Sequence, residues 1–338
     1  MNRMRLPEKL VAAIQDEVKR ADQRDLLRAS GELTRRYKAA GSSGPAIDSD
    51  LHRAAYLLAR VPATYAACTH VFSEIRRLAP QAPVTSILDL GSGPGTAVFA
   101  AAEIFSSLNH AQLMESSPAW MRMGQRLAAK SSHPLLTEAR WIQHDLRAEA
   151  AFPPHDLVVL SYSLGELPPA TAEALVRRAW RSTSQFMVVI EPGTPRGFAT
   201  ILAVRSALIA DGAYIAAPCP HRDACPMAGT RDWCHFAERV ERTSQHRRMK
   251  RGVLGYEDEK FSYVVAARHE VRPAAARIVR HPKKLSGHVQ LMLCTLHGIE
   301  TQTVTRSSRD AYKLARRSEW GDEWEPGSNS DHAPRTGR

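Results

Sequence analysis

Residues 83–200 alternate between short apolar runs and longer helix-like segments, and this alternation constrains the fold more than any other feature of the sequence. The predicted strands are 85–90, 111–115, 139–144, 157–161 and 185–191. Apolar strands without polar alternation suit a sheet that is covered on both faces, and strands separated by helices build a parallel sheet. The sequence therefore predicts an α/β fold with a doubly wound parallel sheet.

A glycine-rich loop, Asp89-Leu-Gly-Ser-Gly-Pro-Gly95, follows the first predicted strand. Its glycines permit unusual backbone conformations and let a ligand approach the main chain, while the next helix offers unpaired N–H groups. The spacing is G-x-G-x-G and differs from the G-x-G-x-x-G of dinucleotide-binding folds. The loop predicts a cofactor site, with a nicotinamide enzyme as the alternative.

Acidic residues stand at the ends of three consecutive predicted strands: Asp89, Glu115 and Asp145. The polar groups of S-adenosylmethionine are an ammonium group, two ribose hydroxyls and an adenine amino group. Each of these three parts can donate hydrogen bonds to one carboxylate. The pattern therefore predicts an S-adenosylmethionine pocket, although each acid alone is equally typical of a helix cap or a turn. The predicted cofactor-binding residues are Asp89, Gly91, Ser92, Gly93, Gly95, Glu115, Asp145, Leu146 and Ser161.

The fourth predicted strand ends in the segment Ser161-Tyr-Ser-Leu-Gly-Glu-Leu-Pro168, where the reacting centre of a doubly wound sheet usually lies. The segment lacks the Asn-Pro-Pro-Tyr or Asp-Pro-Pro-Tyr tetrapeptide of enzymes that methylate exocyclic amines, and it contains no cysteine nucleophile. Tyr162 and Glu166 are candidates for a catalytic base, with packing and helix capping as their respective alternatives. The sequence does not identify the catalytic residues.

Four of the five cysteines lie in the second half of the chain, at Cys219, Cys225, Cys234 and Cys294. The first three alternate with prolines, which is typical of a stiff loop around a soft metal, either zinc or an iron–sulfur cluster. Their spacings fit neither a zinc ribbon nor the common ferredoxin runs. Three histidines are near enough in sequence to replace one thiol on zinc: His221, His235 and His297. Cys68 stands apart and is interpreted as a small core residue.

The positive charge is concentrated in one segment. The chain has 46 Lys and Arg against 35 Asp and Glu, a net charge of +11. The segment 239–284 holds thirteen of these cations against five acids, so it accounts for eight of the eleven excess charges. Such a segment predicts contacts with nucleic-acid phosphates, with a solvated basic face as the alternative.

The N-terminal segment Met1 to Arg20 has no continuous apolar core and carries three acids, so it does not resemble an export signal. We therefore expect a reducing cytoplasm, where clustered cysteines more often bind metal than form disulfides. No apolar stretch approaches the length needed to span a bilayer.

Nine segments together resemble one known family, the methyltransferase-like proteins of the small ribosomal subunit (Rsm type), found in bacteria and mitochondria. The resemblance covers nearly the whole chain past residue 50. The matching segments are 56–66, 89–95, 163–168, 191–197, 218–221 with 225–226, 233–236, 260–263, 287–294 and 320–322.

The resemblance implies a class I S-adenosylmethionine-dependent methyltransferase fold with an N-terminal helical region and a cysteine-rich metal-binding insertion. It also implies that the four clustered cysteines jointly hold a 4Fe-4S cluster. The expected organisation is an N-terminal helical region at 1–82, a cofactor-binding α/β core at 83–200, a cysteine-rich basic insertion at 201–260, C-terminal strands at 261–318 that complete the sheet and supply the fourth cysteine, and a flexible tail at 319–338.

The leading hypothesis is an S-adenosylmethionine-dependent methyltransferase-like protein that acts on small-subunit ribosomal RNA or in assembly of the small subunit. In this hypothesis a monomer contacts ribosomal RNA through segment 239–284. Two alternatives belong to other classes: a non-catalytic RNA-binding assembly factor and a small-molecule methyltransferase. Only the first two predict RNA binding that weakens steeply with salt.

Overall fold

The computed structural model describes residues 4–19, 21–40, 49–241 and 256–325. The N-terminal part of the chain is helical, as the apolar spacing predicts. Its helices are α1 (Glu8–Val18), α2 (Gln23–Ala40), α3 (Asp50–Ala59) and α4 (Val61–Leu78). The side chain of Ser49 caps α3 by accepting a hydrogen bond from the backbone N–H of His52. Most of α4 is buried, because it packs against both the core helices and the main sheet.

The main sheet confirms the predicted doubly wound fold. Its strands are β1 (Ser86–Leu90), β2 (His110–Glu115), β3 (Arg140–Gln143), β4 (His155–Ser161), β5 (Thr183–Pro192), β6 (Tyr214–Ala217), β7 (Phe236–Glu241) and β8 (Tyr256–Ala267). The strand order is β3-β2-β1-β4-β5-β8-β6, with β7 paired to β8 outside this path. The first five strands are parallel, and β8 runs antiparallel between β5 and β6. This order, with one reversed strand near the edge, is that of the class I methyltransferase fold.

Helices cover the sheet on both faces, and each face has its own hydrophobic cluster. The covering helices are α5 (Thr96–Ile104), α6 (Pro118–Ser131), α7 (Pro134–Thr137), α8 (Pro169–Arg181) and α9 (Pro195–Ala210). The sequence pattern did not predict α9. Its side chains pack on the sheet at Ile201 and Val204 and on the cysteine-rich region at Phe198, so it lacks the one-sided apolar pattern of a surface helix.

A second, smaller sheet follows the main one. It consists of β9 (Arg277–Ile278), β10 (Lys283–Lys284), β11 (His288–Thr295) and β12 (Gly298–Thr305), and helix α10 (Arg309–Arg317) packs on it. This differs from the expectation that the strands of 261–318 complete the main sheet, because only β8 does so. The flexible tail expected from residue 319 also differs from the structure: Trp324 is 2% exposed in the core of the small sheet. Residues 326–338 of that tail lie outside the described residues.

Within the described ranges, the structure has no helix that is both long enough and apolar enough to cross a membrane.

Candidate functional site

The glycine-rich loop turns sharply between β1 and α5. Gly91 and Gly93 have φ of +74° and +52°, in the left-handed region that favours glycine. A Cβ atom at Gly91 would lie 2.8 Å from the Cβ of Ser163, so the loop and the end of β4 touch. A Cβ atom at Gly93 would meet nothing within 4 Å. Gly93 therefore faces open space.

That space is a cavity of about 1430 Å³ at the carboxyl ends of the parallel strands, here named the loop cavity. Eight of the nine predicted cofactor residues line it: Asp89, Gly91, Ser92, Gly93, Glu115, Asp145, Leu146 and Ser161. Gly95 is the exception, because it forms the N-cap of α5 with φ of +82° and lies against Leu113 and Trp141. The parallel strands thus bring the separate predicted residues to one place, as expected for this fold.

Asp89 is the most deeply buried acid of the loop cavity, at 1% exposure. Its Oδ2 atom has no hydrogen-bond partner among the described residues. Burial, and then the nearby Glu115 carboxylate, raise the pKa of Asp89 to about 8. A buried acceptor without a donor suits a cationic ligand group, which would supply both the hydrogen bond and the opposite charge.

Glu115 already holds part of the cavity wall. Its Oε2 accepts a hydrogen bond from the N–H of Gly93 at 2.9 Å, and its Oε1 accepts one from the N–H of Ser117 at 2.8 Å. Asp145 is half-exposed and forms an ion pair with Arg147 at 2.6 Å. Hydrogen bonds from Arg147 lower the pKa of Asp145 to about 2. Both carboxylates line the cavity.

Tyr162, a sequence candidate for the catalytic base, lines the loop cavity with its backbone at φ +58°. A left-handed tyrosine is strained, and such strain is most common at functional sites. Its hydroxyl donates to Oε1 of Glu259 at 3.0 Å, and Arg60 donates to both oxygens of Glu259 at 3.0 and 3.1 Å. Burial raises the pKa of Tyr162 well above its usual value. The other candidate, Glu166, is an exposed cavity-lining residue.

Sequence reasoning missed three polar residues of this cavity. Glu191 is 2% exposed at the end of β5, and its Oε1 accepts a hydrogen bond from the N–H of Leu164 at 3.0 Å. Burial raises the pKa of Glu191 to about 7. Its position as an acid at a strand end was a usable signal, because the same pattern identified Asp89. Arg60 and Glu259 carried no comparable signal, since 199 positions separate them in the chain.

The four clustered cysteines line a second cavity of about 30 Å³, here named the cysteine cavity, between α9, the 218–235 loop and the small sheet. Cys294 Sγ lies 3.9 Å from Nε2 of His221, which also lines this cavity. In the described part of the chain, no three His, Cys, Asp or Glu side chains are arranged to hold a metal ion. The four thiols line one cavity, but they are not arranged to hold a single metal ion. The structure therefore does not confirm the predicted metal-binding insertion.

The remaining cysteine and histidines have other surroundings. Cys68 is fully buried in the main core, as predicted, and burial raises its pKa to about 12. His235 stacks on Trp233 at 5.1 Å, and one of its ring nitrogens lies 3.0 Å from the Trp233 carbonyl oxygen. His297 is exposed and does not line the cysteine cavity.

Among the described residues of the basic segment 239–284, not every cation is available to a partner. Its densest part, Arg247 to Arg251, lies outside the described residues. Arg239 pairs with Asp258, and Arg277 is buried. Lys283 and Lys284 are exposed on β10, and Lys260 and Arg272 are exposed elsewhere in the segment.

Residues 50–325 match the model of the family described as mitochondrial small ribosomal subunit Rsm22. The chain belongs to the Rsm22 family. Among its relatives is the human mitochondrial ribosome assembly protein METTL17, with 30% identity over 79% of this chain and 61% of the relative. The Rsm22-cox11 tandem protein 2 of Schizosaccharomyces pombe is 26% identical over 79% of this chain and 42% of the relative. The Rsm22-family chain thus spans about three fifths and two fifths of these relatives.

One similar solved structure is the magnesium protoporphyrin IX methyltransferase of Synechocystis, at 12% identity and a TM-score of 0.42 over 73% of this chain and all of that one. The fold assignment of the Rsm22-family protein rests on its own strand order and not on this likeness.

The predicted cytoplasmic location is wrong. The human and fission yeast relatives are mitochondrial proteins, and the matching family model is described as mitochondrial. The prediction failed because it rested on the absence of an apolar export signal. Mitochondrial targeting segments are amphipathic and arginine-rich, so that absence does not distinguish the two compartments.

Proposed function

We propose that this protein is an S-adenosylmethionine-binding, methyltransferase-like factor that acts on small-subunit ribosomal RNA or in assembly of the small ribosomal subunit. The observation that carries the cofactor assignment is the buried, unpartnered Oδ2 of Asp89 beside the glycine loop. The family model and the human relative, a ribosome assembly protein by name, support the ribosomal part.

The residues of the loop cavity fit the proposed cofactor in chemistry. Asp89 would accept the ammonium group, and the main chain at Gly91 and Gly93 would let the ligand lie close to the loop. Glu115 and Asp145 would accept hydrogen bonds from the ribose hydroxyls and the adenine amino group. The remaining residues assigned to this site are Ser92, Gly95, Leu146 and Ser161. When bound, S-adenosylmethionine supplies an activated methyl group.

Calorimetry with S-adenosylmethionine and with NAD tests the cofactor assignment. We expect saturable binding of S-adenosylmethionine only, and loss of that binding in Asp89→Asn. The matched control is Asp156→Asn, since Asp156 lies at the opposite end of the same sheet, where it accepts hydrogen bonds from Thr85. Binding of NAD in place of S-adenosylmethionine would contradict the assignment.

The RNA part of the proposal rests on segment 239–284, whose exposed described cations include Lys283 and Lys284. Reversing both charges, in Lys283→Glu with Lys284→Glu, should weaken binding to small-subunit ribosomal RNA and flatten its salt dependence. Lys9→Glu with Lys19→Glu makes the same change of net charge on α1 and serves as the control. Equal effects of the two pairs would show that net charge alone, and not this segment, governs binding.

Crosslinking in cells, followed by sequencing of the bound RNA, tests the proposed partner directly. We expect reads concentrated in small-subunit ribosomal RNA. A Gly93→Arg variant that restores subunit assembly without binding cofactor would favour a non-catalytic assembly factor over an enzyme. A protein that crosslinks to no RNA would favour a small-molecule methyltransferase.

We also propose that Cys219, Cys225, Cys234 and Cys294 hold a 4Fe-4S cluster. Support comes from their common cavity, to which three separate parts of the chain contribute. Anaerobic purification followed by analysis of iron, acid-labile sulfide and zinc tests this. We expect iron and sulfide in the wild type, their loss in Cys294→Ser, and no loss in Cys68→Ala. Stoichiometric zinc without sulfide would replace the cluster with a zinc site.

A further inference from the structure

Three arginines are buried in the described part of the chain, and they differ in whether a carboxylate balances their charge. Arg53 forms an ion pair with Asp50 at 2.6 Å, and Arg277 forms one with Glu74 at 2.8 Å. Arg205, at 4% exposure, has no carboxylate partner among the described residues. It is therefore a buried cation that lacks a protein counter-charge.

Arg205 extends from α9 into the wall of the cysteine cavity, which it shares with all four clustered cysteines. Its Nη2 donates a hydrogen bond to the carbonyl oxygen of His221 at 2.8 Å. Its Nε has no hydrogen-bond partner in the described structure. The guanidinium also interacts with the Cys219 thiol. Neither a carbonyl oxygen nor a thiol balances its positive charge, and its Nε keeps no partner among the described residues.

Two further donors of the same wall are also unsatisfied. The hydroxyl of Tyr263 and Nη2 of Arg277 are buried without a partner in the described residues, and both side chains line the cysteine cavity. Buried donors are nearly always satisfied in folded proteins, so several of them around one cavity indicate a missing acceptor. Because one donor belongs to an uncompensated cation, the missing acceptor is an anion.

Thiolates bound to a metal provide such an anion. Four thiolates carry more negative charge than the positive charge of a zinc ion or of a cubane core, so the bound group as a whole is negative. An isolated buried cation is costly, and an isolated buried anion is costly too, but the two stabilise each other at short range. The cavity contains no acidic side chain that would serve Arg205 instead.

We propose that Arg205 is the counter-charge that retains the anionic metal–thiolate group in the cysteine cavity. This inference rests on the proposed metal site and adds a residue that is not a ligand. Arg277 borders the same cavity, but Glu74 already balances its charge. The proposal therefore assigns the electrostatic role to Arg205 and only hydrogen bonding to Arg277 and Tyr263.

The first test measures how fast the anaerobically purified protein loses iron to an excess of a strong chelator. Arg205→Gln removes the charge while keeping a donor for the His221 carbonyl oxygen, and Arg205→Lys keeps the charge. We expect Arg205→Gln to release iron about tenfold faster or more, the typical size of effects from groups around metal ligands. Arg205→Lys should lie closer to the wild type. The control Arg231→Gln changes an exposed arginine of the same loop region and should match the wild type.

The second test compares urea unfolding of the loaded protein with that of the metal-free Cys294→Ser protein. In the loaded protein, Arg205→Gln should lower the unfolding midpoint. In the Cys294→Ser background, the same substitution removes an uncompensated buried cation, so the midpoint should stay constant or rise. This reversal of sign is not expected of a residue that only fills space.

The outcomes separate this inference from the metal proposal on which it rests. A wild-type protein free of iron, sulfide and zinc would overturn both. If the wild type is loaded and Arg205→Gln releases iron at the rate of Arg231→Gln, the metal proposal stands and the role of Arg205 is wrong. A midpoint that falls equally in loaded and metal-free proteins would likewise assign Arg205 a purely structural role.

Discussion

The loop cavity and the cysteine cavity each contain a buried ionisable side chain with a polar atom that is unpartnered among the described residues, and this side chain is an acid in the first cavity and a base in the second. In the loop cavity it is the Asp89 carboxyl, with Oδ2 unpartnered. In the cysteine cavity it is the Arg205 guanidinium, with Nε unpartnered. Since unpaired buried charge is costly, each cavity indicates the sign of the ligand it takes. The first suits a cation such as an ammonium group, and the second suits an anionic metal–thiolate group.

The two cavities also differ in how the chain builds them. Parallel strands bring the residues of the loop cavity together at their carboxyl ends, so backbone geometry does most of the assembly. The cysteine cavity takes side chains from α9, the 218–235 loop and β11, which no regular repeat connects. The arrangement of the residues around the cysteine cavity therefore depends on side-chain contacts, including the buried Arg277–Glu74 ion pair.

The largest expected effect is on cofactor binding in Gly93→Arg. The arginine side chain would enter the loop cavity, and we expect no measurable binding of S-adenosylmethionine by calorimetry. Gly212→Arg is the matched control, because Gly212 also has positive φ, at +80°, and also faces open space, but in a turn after α9. Iron content should be unchanged in both variants. Loss of iron in Gly93→Arg alone would show that the two cavities are coupled and do not bind their ligands independently.

Breaking the buried ion pair beside the cysteine cavity should have the next largest effect. Glu74→Gln leaves the Arg277 charge buried with a weaker partner, and we expect the free energy of unfolding to fall by about 3–5 kcal/mol. Glu173→Gln breaks an exposed pair with Arg177 on α8 and should lower the free energy of unfolding much less. Urea unfolding measures both. If the free energy of unfolding falls by a similarly small amount in both variants, then Arg277, like Arg205, obtains its counter-charge from the ligand of the cysteine cavity.

The pH dependence of stability should report on Glu191. Its pKa is raised from 4.5 to about 7 in the folded protein, so the folded state binds more protons than the unfolded state between these values. Stability from this group is fully present below pH 4.5 and is lost as the pH rises through 7, by up to about 3 kcal/mol. Glu191→Gln should remove this part of the slope in urea unfolding series. If stability changes with pH equally in the wild type and in Glu191→Gln, then the Glu191 carboxyl is ionised throughout this pH range and the prediction is wrong.

The smallest predicted effect is a proton linked to cofactor binding at Asp89. Its pKa of about 8 means that the free carboxyl is mostly protonated at pH 7, whereas a bound ammonium group favours the carboxylate. Affinity for S-adenosylmethionine should rise with pH below 8, by at most about tenfold per pH unit. Calorimetry in two buffers of different ionisation enthalpy should also detect proton release. Affinity that is independent of pH between 6 and 8 would remove Asp89 as the ammonium acceptor.

Much of the fold was predictable because its signals are local. Most of the five parallel strands are short, largely apolar runs, and the glycine loop is contiguous in the sequence, so both could be identified without tertiary contacts. Helix α9 could not, because its two packed faces erase the amphipathic pattern. The separation of the small sheet from the main one was not predicted, since a strand pattern does not indicate which sheet a strand joins.

The sequence by itself determined the alternation of strands and helices, the position of the acids at the strand ends and the presence of four clustered cysteines. Only the tertiary structure decided which charges remain unpaired. Glu115 accepts a hydrogen bond from Gly93, Glu191 accepts one from Leu164, and Glu74 pairs with the charge of Arg277. Among the described residues, Asp89 and Arg205 have no such oppositely charged partner and keep unpartnered atoms. The physical reason is that pairing depends on distance and burial in space, and partners such as Glu74 and Arg277 are remote along the chain.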